Sequence, residues 1–197
     1  FFEQNFNNAL NLIPNLESDF FNNPTGSLIG LRVPKWYYQD KALVIGDAAH
    51  ATVPFYGQGM NAAFEDCEIF SKLIRDFKSD SWEDVFKHFY QLRKDNADAL
   101  LELSLENYMV MRNDVLEDAY IKKQKLSFLL NKDFPKQFVP LYTMVSFTTI
   151  PYKVCLERGK VQDKILNKLI NIENIVDYDK ILATNLINKY LSKIIYN

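Results

Sequence analysis

Cysteine is nearly absent from this sequence: Cys67 and Cys155 are the two in 197 residues. They lie far apart and in no metal-ligand spacing, so neither a disulfide framework nor a cysteine-based metal site is indicated. Both read as buried, reduced thiols, which goes with a reducing compartment. A long apolar run is missing as well. No stretch approaches the about 18 consecutive apolar residues of a membrane-spanning helix. An excess of one charge is missing too: 23 Lys and Arg stand against 25 Asp and Glu, for a net charge of −2. Nucleic-acid binding needs a clustered basic surface, and this balance gives it no support. Phe1-Phe2-Glu3-Gln4 is no start signal, and no secretory pattern comes after it. The expectation is that the chain begins in the middle of something larger.

Apolar residues, by contrast, are in ordinary supply at 48%, sufficient for one core or for parts of two. Residues 2–12 have the apolar spacing of a short helix stopped near Pro14. Leu28-Ile29-Gly30-Leu31-Arg32-Val33 reads as a strand broken by Pro34. Lys41-Ala42-Leu43-Val44-Ile45-Gly46 is a compact apolar run ending in glycine, the pattern of a buried strand in an α/β sheet. Residues 48–61 hold Pro54, Gly57, Gly59 and Asn61 and read as a loop. It feeds a helix over residues 60–77, with Phe64, Cys67, Ile69, Phe70, Leu73, Ile74 and Phe77 as a wide apolar face. Ser81 is placed to cap a helix running through Tyr90, with Glu83 and Asp84 in its first turn. Helical texture continues over 97–111 and 115–130. Pro135, Pro140 and Pro151 then interrupt the pattern. Two amphipathic helices, over 164–176 and 180–195, close the chain.

The segment that carries chemistry is Gly46-Asp47-Ala48-Ala49-His50, followed by Pro54-Phe55-Tyr56-Gly57-Gln58-Gly59-Met60-Asn61. Gly46 ends a strand and lets backbone approach a ligand closely. Asp47 presents a carboxylate at the strand's carboxyl end, where open α/β sheets bind their ligands. Ala48 and Ala49 leave room. Gly57 and Gly59 expose backbone N–H groups, and a helix begins right after them. Its start offers unpaired donors and a positive dipole end. A carboxylate on one side and an electropositive helix start on the other suit an elongated ligand with hydroxyls and an electron-rich ring. Singly, these features are ordinary: an Asp after a strand is often a turn residue or cap, and Gly-x-Gly occurs in many loops. Their combination in one register is what points to a site.

That combination resembles the second FAD-binding motif of the flavoprotein aromatic hydroxylases, the para-hydroxybenzoate hydroxylase-like family. The resemblance implies an FAD-dependent monooxygenase that uses NADPH. It implies that Asp47 hydrogen-bonds the ribityl chain of FAD, and that Gly57, Gly59, Met60 and Asn61 lie at the pyrimidine end of the flavin ring. Donors and dipole there favour negative charge on the reduced flavin. His50 belongs to the motif, and a satisfied structural histidine is the reading for it. No catalytic acid or base from this chain is needed, since the cofactor carries the hard step. One part of the family's pattern is missing, the strand, Gly-x-Gly-x-x-Gly and helix of its nucleotide-binding start. The chain is therefore expected to supply half of the FAD site and to need an N-terminal half.

Three blocks narrow the resemblance. They are Pro54 to Cys67, then Glu106-Asn107-Tyr108-Met109-Val110-Met111-Arg112, then Phe134 to Phe147, followed by Ile150-Pro151-Tyr152 and Arg158-Gly159. All are similar to the branch of the family that hydroxylates kynurenine, and the similarity covers residues 2–168. It implies L-kynurenine and O2 as substrates and 3-hydroxykynurenine as product. Asn107 and Tyr142 would hold the zwitterionic end of the substrate, with Phe55 and Tyr56 beside its ring. Arg112 is expected to pair with a nearby acid, and Tyr108, Met109 and Met111 to pack. Two alternatives stay open: a related hydroxylase of another aromatic substrate, against which Asn107 and Tyr142 speak, and a non-catalytic fragment without the nucleotide-binding half. The expected fold is α/β, the end of an FAD and substrate domain sheet, over residues 1–78. A mainly α-helical C-terminal domain is expected over 79–197. The tail's stripes are Ile165, Leu169, Ile172 and Val176, then Leu186, Tyr190, Leu191, Ile194 and Ile195. They are expected to dock on the protein's own surface rather than on a membrane interface. A cytoplasmic protein without a transmembrane anchor completes the expectation.

Overall fold

The computed structural model describes residues 1–76, 78, 81–170 and 178–195. In chain order the elements are α1 (Phe2–Asn5), α2 (Asn7–Leu10), α3 (Leu16–Asn22), β1 (Tyr37–Tyr38), β2 (Ala42–Leu43) and α4 (Asp47–His50). There follow α5 (Gly59–Asp76), α6 (Trp82–Met109), α7 (Asp118–Asp133), α8 (Leu141–Phe147), α9 (Tyr152–Leu169) and α10 (Lys180–Tyr190).

Helix α6 is the spine. Its 28 residues contain neither Gly nor Pro, and the Ser81 hydroxyl accepts the Asp84 N–H at 3.4 Å to start it. At 1.5 Å per residue it runs about 42 Å. The helices expected over 81–90 and 97–111 are thus one, because nothing between Gln91 and Asn96 breaks the backbone pattern. A π turn at Val110–Asp114 ends it. The helix expected over 2–12 is instead two single turns, and α3, for which the sequence gives no clear periodic signal, follows Pro14.

The β structure differs most from expectation. Residues 28–33 form no strand. They run extended and spend two donors on the end of α4 and the residue after it: the Leu31 N–H reaches the Ala51 carbonyl at 2.8 Å, and the Val33 N–H reaches that of Ala49 at 3.2 Å. Residues 41–46 form no buried α/β strand either. Only Ala42–Leu43 is β, pairing antiparallel with Tyr37–Tyr38 in a two-stranded hairpin. Val44 is exposed, and Leu43 and Ile45 are only half-buried. A buried strand needs paired neighbours and cover on both faces, and among the described residues this run has one neighbour. The molecule is therefore mainly helical with one small sheet, and no larger sheet occurs among the described residues.

Three apolar clusters line α6 and the tail. Trp36, Ala49, Phe89 and Ala97 form the first, with Ile69, Phe70 and Leu73 of α5 packed against it. The second joins Tyr56, Ala99, Leu103, Val139, Met144, Val145, Ile150, Cys155 and Leu156. The third is the tail's own core: Leu126, Leu130, Phe138, Ile165, Leu169, Ala183, Ile187 and Leu191. The docking expected of the tail is therefore present. Asp179 caps α10 by accepting the Leu182 N–H at 2.8 Å, and the Arg158 guanidinium pins the Ser192 carbonyl at 3.0 Å. Of the expected stripes, Tyr190 and Ile195 stay exposed, and Ile172 and Val176 lie outside the described residues. Among the described residues no helix is long and apolar enough to cross a membrane.

Helix α5 corrects two further expectations. Its inner stripe is Ala62, Asp66, Ile69, Phe70 and Leu73. Phe64, Cys67 and Ile74, spaced three and seven apart, lie on a second stripe that faces out. Cys67 is exposed and only Cys155 is buried. Burial pushes the Cys155 thiol up to about 12. Phe77 is outside the described residues.

Candidate functional site

The turn bearing Asp47 is built by glycine. Gly46 has φ 59° and ψ −142°, a conformation a side chain would strain. Its carbonyl then accepts the Ala49 and His50 N–H groups at 2.9 and 3.0 Å, which closes the single turn α4. Asp47 opens that turn and is exposed. Among the described residues its carboxylate has no hydrogen-bond or ion-pair partner. An unengaged carboxylate of this kind is free for a ligand's hydroxyls.

Gly57 has φ 68°, and a Cβ there would meet nothing within 4 Å. The Gly57 N–H donates to the Pro54 carbonyl at 3.1 Å. At Gly59 a Cβ would press on Thr52 at 3.2 Å, so the loop crosses close to the helix start. The Ala62 N–H donates to the Gln58 carbonyl at 2.9 Å. The N–H groups of Gly59, Met60 and Asn61 precede it and are the donors a helix start leaves over. Met60 is exposed. The Asn61 amide donates to Gln58 Oε1 at 2.9 Å. A free carboxylate acceptor, an open glycine shelf and unpaired N–H donors are a set that fits a ribityl flavin.

The four residues expected at the substrate come together in two pairs. Asn107 Nδ2 donates to the Phe55 carbonyl at 2.8 Å, and the Tyr56 and Tyr142 rings stack at 5.4 Å. Tyr108 lies on the Phe55 ring at 4.7 Å, so its packing role holds. Tyr56 is buried while Tyr142 is half open at 52%. Burial, and then the Glu106 carboxylate, push the Tyr56 phenol well above its ordinary value, so it stays a neutral donor. Burial likewise raises Glu106. Among the described residues Arg112 meets no acid of the kind expected; it reaches the Tyr108 hydroxyl at 3.4 Å. Met109 and Met111 are exposed rather than packed.

Under this surface lies a charged group whose pairing the sequence reading does not single out. Asp66 is fully buried. Its Oδ2 accepts from His50 Nε2 at 2.5 Å and from the Gly46 N–H at 3.0 Å. Its Oδ1 accepts from Arg93 Nε at 2.6 Å. Burial works to raise this carboxyl, but the His50, Arg93 and Gly46 donors outweigh it and hold it below its usual value. Arg93 also meets Glu65 at 2.8 Å. His50 is thus a satisfied structural histidine, tilted against the Trp36 ring at 5.1 Å. A signal for the group exists in the sequence: Asp66 interrupts the 62–66–69–73 stripe, and Arg93 the apolar stripe 86–89–93–97–100.

Residues 29–104 match the family model described as FAD binding domain, so the chain is related to FAD-binding flavoproteins. It is 42% identical to a kynurenine 3-monooxygenase of Cytophaga hutchinsonii over 89% of this chain and 39% of the relative. It is 40% identical to that of Dictyostelium discoideum over 98% of this chain and 45% of the relative. With that of Legionella pneumophila it shares 37% identity over 99% of the chain and 44% of the relative. The chain is a homologue of the kynurenine 3-monooxygenases, and it spans about two-fifths of the length of these curated relatives.

Proposed function

We propose that this chain is the part of an FAD-dependent, NADPH-using monooxygenase that helps bind flavin and L-kynurenine, with 3-hydroxykynurenine as product. The observation that carries the proposal is the pairing of Asn107 with Phe55 and of Tyr142 with Tyr56, on the loop that runs straight into the Gly57–Asn61 helix start. When bound, FAD reduced by NADPH supplies the oxygen-activating chemistry. The protein's own residues bind, orient and exclude water. Asp47 accepts hydroxyls of the ribityl chain. The N–H groups of Gly59, Met60 and Asn61 donate to the electron-rich end of the ring, with Gly57 leaving the approach open. Asn107 and Tyr142 hold the amino-acid end of the substrate, and Phe55 and Tyr56 flank its ring.

The remaining contacts to flavin and substrate come, in this proposal, from the length of the relatives that the chain does not match. Residues 1–78 are assigned to the flavin and substrate domain and 79–197 to a helical domain. The tail's core is drawn wholly from residues after 125, while the other two clusters join the two stretches across α5 and α6. A cytoplasmic location is part of the proposal, supported by burial of the tail's apolar stripe on that core.

The test uses the full-length protein. Asn107→Ala and Tyr142→Phe should each raise the KM for kynurenine about fivefold to a hundredfold with FAD still bound, since unpaired buried polar groups cost about 1–3 kcal/mol. Wild-type kynurenine kinetics in both variants would instead favour another aromatic substrate. Asp47→Ala should weaken FAD about tenfold to a hundredfold, the worth of a charge-assisted hydrogen bond. Flavin content unchanged after dialysis would remove Asp47 from the site.

A further inference from the structure

We propose that Asp66 is a positioning residue for the flavin site: one buried carboxylate grips both ends of the turn that presents Asp47 and fixes that turn to α5 and α6. The inference rests on the flavin reading above. Its geometry is specific. Oδ2 binds the Gly46 N–H, just before α4, and His50, the last residue of α4. The Asp47 carboxylate stands between those two anchors. Asp66 itself sits seven residues into α5, about 10 Å from the helix start at Gly59. A shift of Asp66 therefore moves the Asp47 turn against the N–H donors of Gly59, Met60 and Asn61. Through Oδ1 and Arg93 the same carboxylate is joined to α6, the helix that carries Asn107. Arg93 adds the Ala62 carbonyl at 3.3 Å, one turn into α5.

Space filling alone does not account for this. An apolar side chain would fill the position without the cost of burying ions. What the charged set adds is direction, since three donors converge on two oxygens. Gly46 also holds a strained backbone conformation: its carbonyl is held by the Ala49 and His50 N–H groups, and the Asp66–amide bond pins it from the other side. The inner stripe of α5 thus carries one polar residue, placed where the loop and both helices meet.

The experiment compares three variants of the full-length protein. FAD affinity is read by fluorescence titration, and the bound flavin by visible circular dichroism at saturating FAD. Asp66→Asn keeps the shape but loses the charge that holds His50 and Arg93. It should weaken FAD about tenfold and change the flavin's dichroic bands. Leu130→Ala, in the tail's core, should lower the melting temperature at least as much and leave both readouts at wild type. If Asp66→Asn does not fold, His50→Gln takes its place, with a loss of about threefold and the same spectral change. Wild-type affinity and spectrum in the Asp66 or His50 variant would overturn the inference, as would an equal FAD loss in Leu130→Ala. Asp47→Ala separates the two levels. If it too leaves FAD affinity unchanged, the flavin assignment falls and this inference with it. If Asp47→Ala weakens FAD and Asp66→Asn does not, only the positioning role falls.

Discussion

Residues 1–31 and the chain after residue 125 are both rich in apolar side chains, yet they use them differently. Phe1, Phe20, Phe21, Leu28 and Ile29 are 63–79% exposed. Their rings touch mostly one another, as Phe2 and Phe20 do at 6.2 Å. Leu126, Leu130, Phe138, Val139 and Met144 are at 2% or less. The difference is one of partners, not of composition. Apolar area stabilises only when a second apolar surface meets it. Helices α7, α9 and α10 present such surfaces to one another, whereas α1, α2 and α3 bury no residue at all. Between the two regions lies the turn around Asp47, which is held by charge as well as packing.

The largest effect should come from the packed end. Leu130→Ala removes a fully buried side chain from the tail's core and should cost about 2–5 kcal/mol of unfolding free energy, measured by urea denaturation. A cost under about 1 kcal/mol, within reach of an ordinary surface change, would mean that this core is no firmer than the exposed end.

The Asp66 turn should fall between. Asp66→Asn should cost about 1–3 kcal/mol near neutral pH, because Arg93 and His50 lose a charged acceptor. The pH dependence has a definite sign. The Asp66 carboxyl is held below its usual value of 3.8. Its contribution is therefore complete above that value and is lost as pH falls through the lower, folded value. The wild-type advantage over Asp66→Asn should shrink on acidification below about pH 4. An advantage that stayed constant from about pH 6 to about pH 2.5 would show that packing, not charge, holds this turn.

The same contrast explains what the sequence revealed. Local signals read well: Ser81 caps a helix, another starts at Lys180, and Ile165, Leu169 and Leu191 of the expected stripes are buried. The parts of the candidate site stood out because Gly46, Asp47, Gly57 and Gly59 lie within one short stretch of chain. What failed depended on partners far away. Residues 28–33 and 41–46 have strand texture, but a strand is made by its neighbours, and here the backbone donors of Leu31 and Val33 go to Ala51 and Ala49. The outward stripe of Phe64, Cys67 and Ile74 reads as core by hydropathy alone. Asp66 and Arg93, distant in sequence, meet only because α5 and α6 pack together. Nothing local marks that pairing except a charge on each apolar stripe.

The smallest effect should be at the exposed end, and it discriminates best. Phe21 is 75% exposed, and its ring contact is with Phe20 at 5.3 Å. In the 197-residue chain, Phe21→Ser should change unfolding free energy by less than about 0.5 kcal/mol, as surface substitutions do. In the full-length protein the same substitution measures something else. A cost of about 1–3 kcal/mol there would be the transfer energy of a covered aromatic ring. It would show that a surface beyond this stretch buries residues 1–31. A cost below about 0.5 kcal/mol in both settings would mean that Phe20 and Phe21 remain in water in either context. The contrast between the two ends would then belong to the protein itself. Comparing the two measurements separates a region that is intrinsically unpacked from one whose partner surface lies elsewhere in the chain.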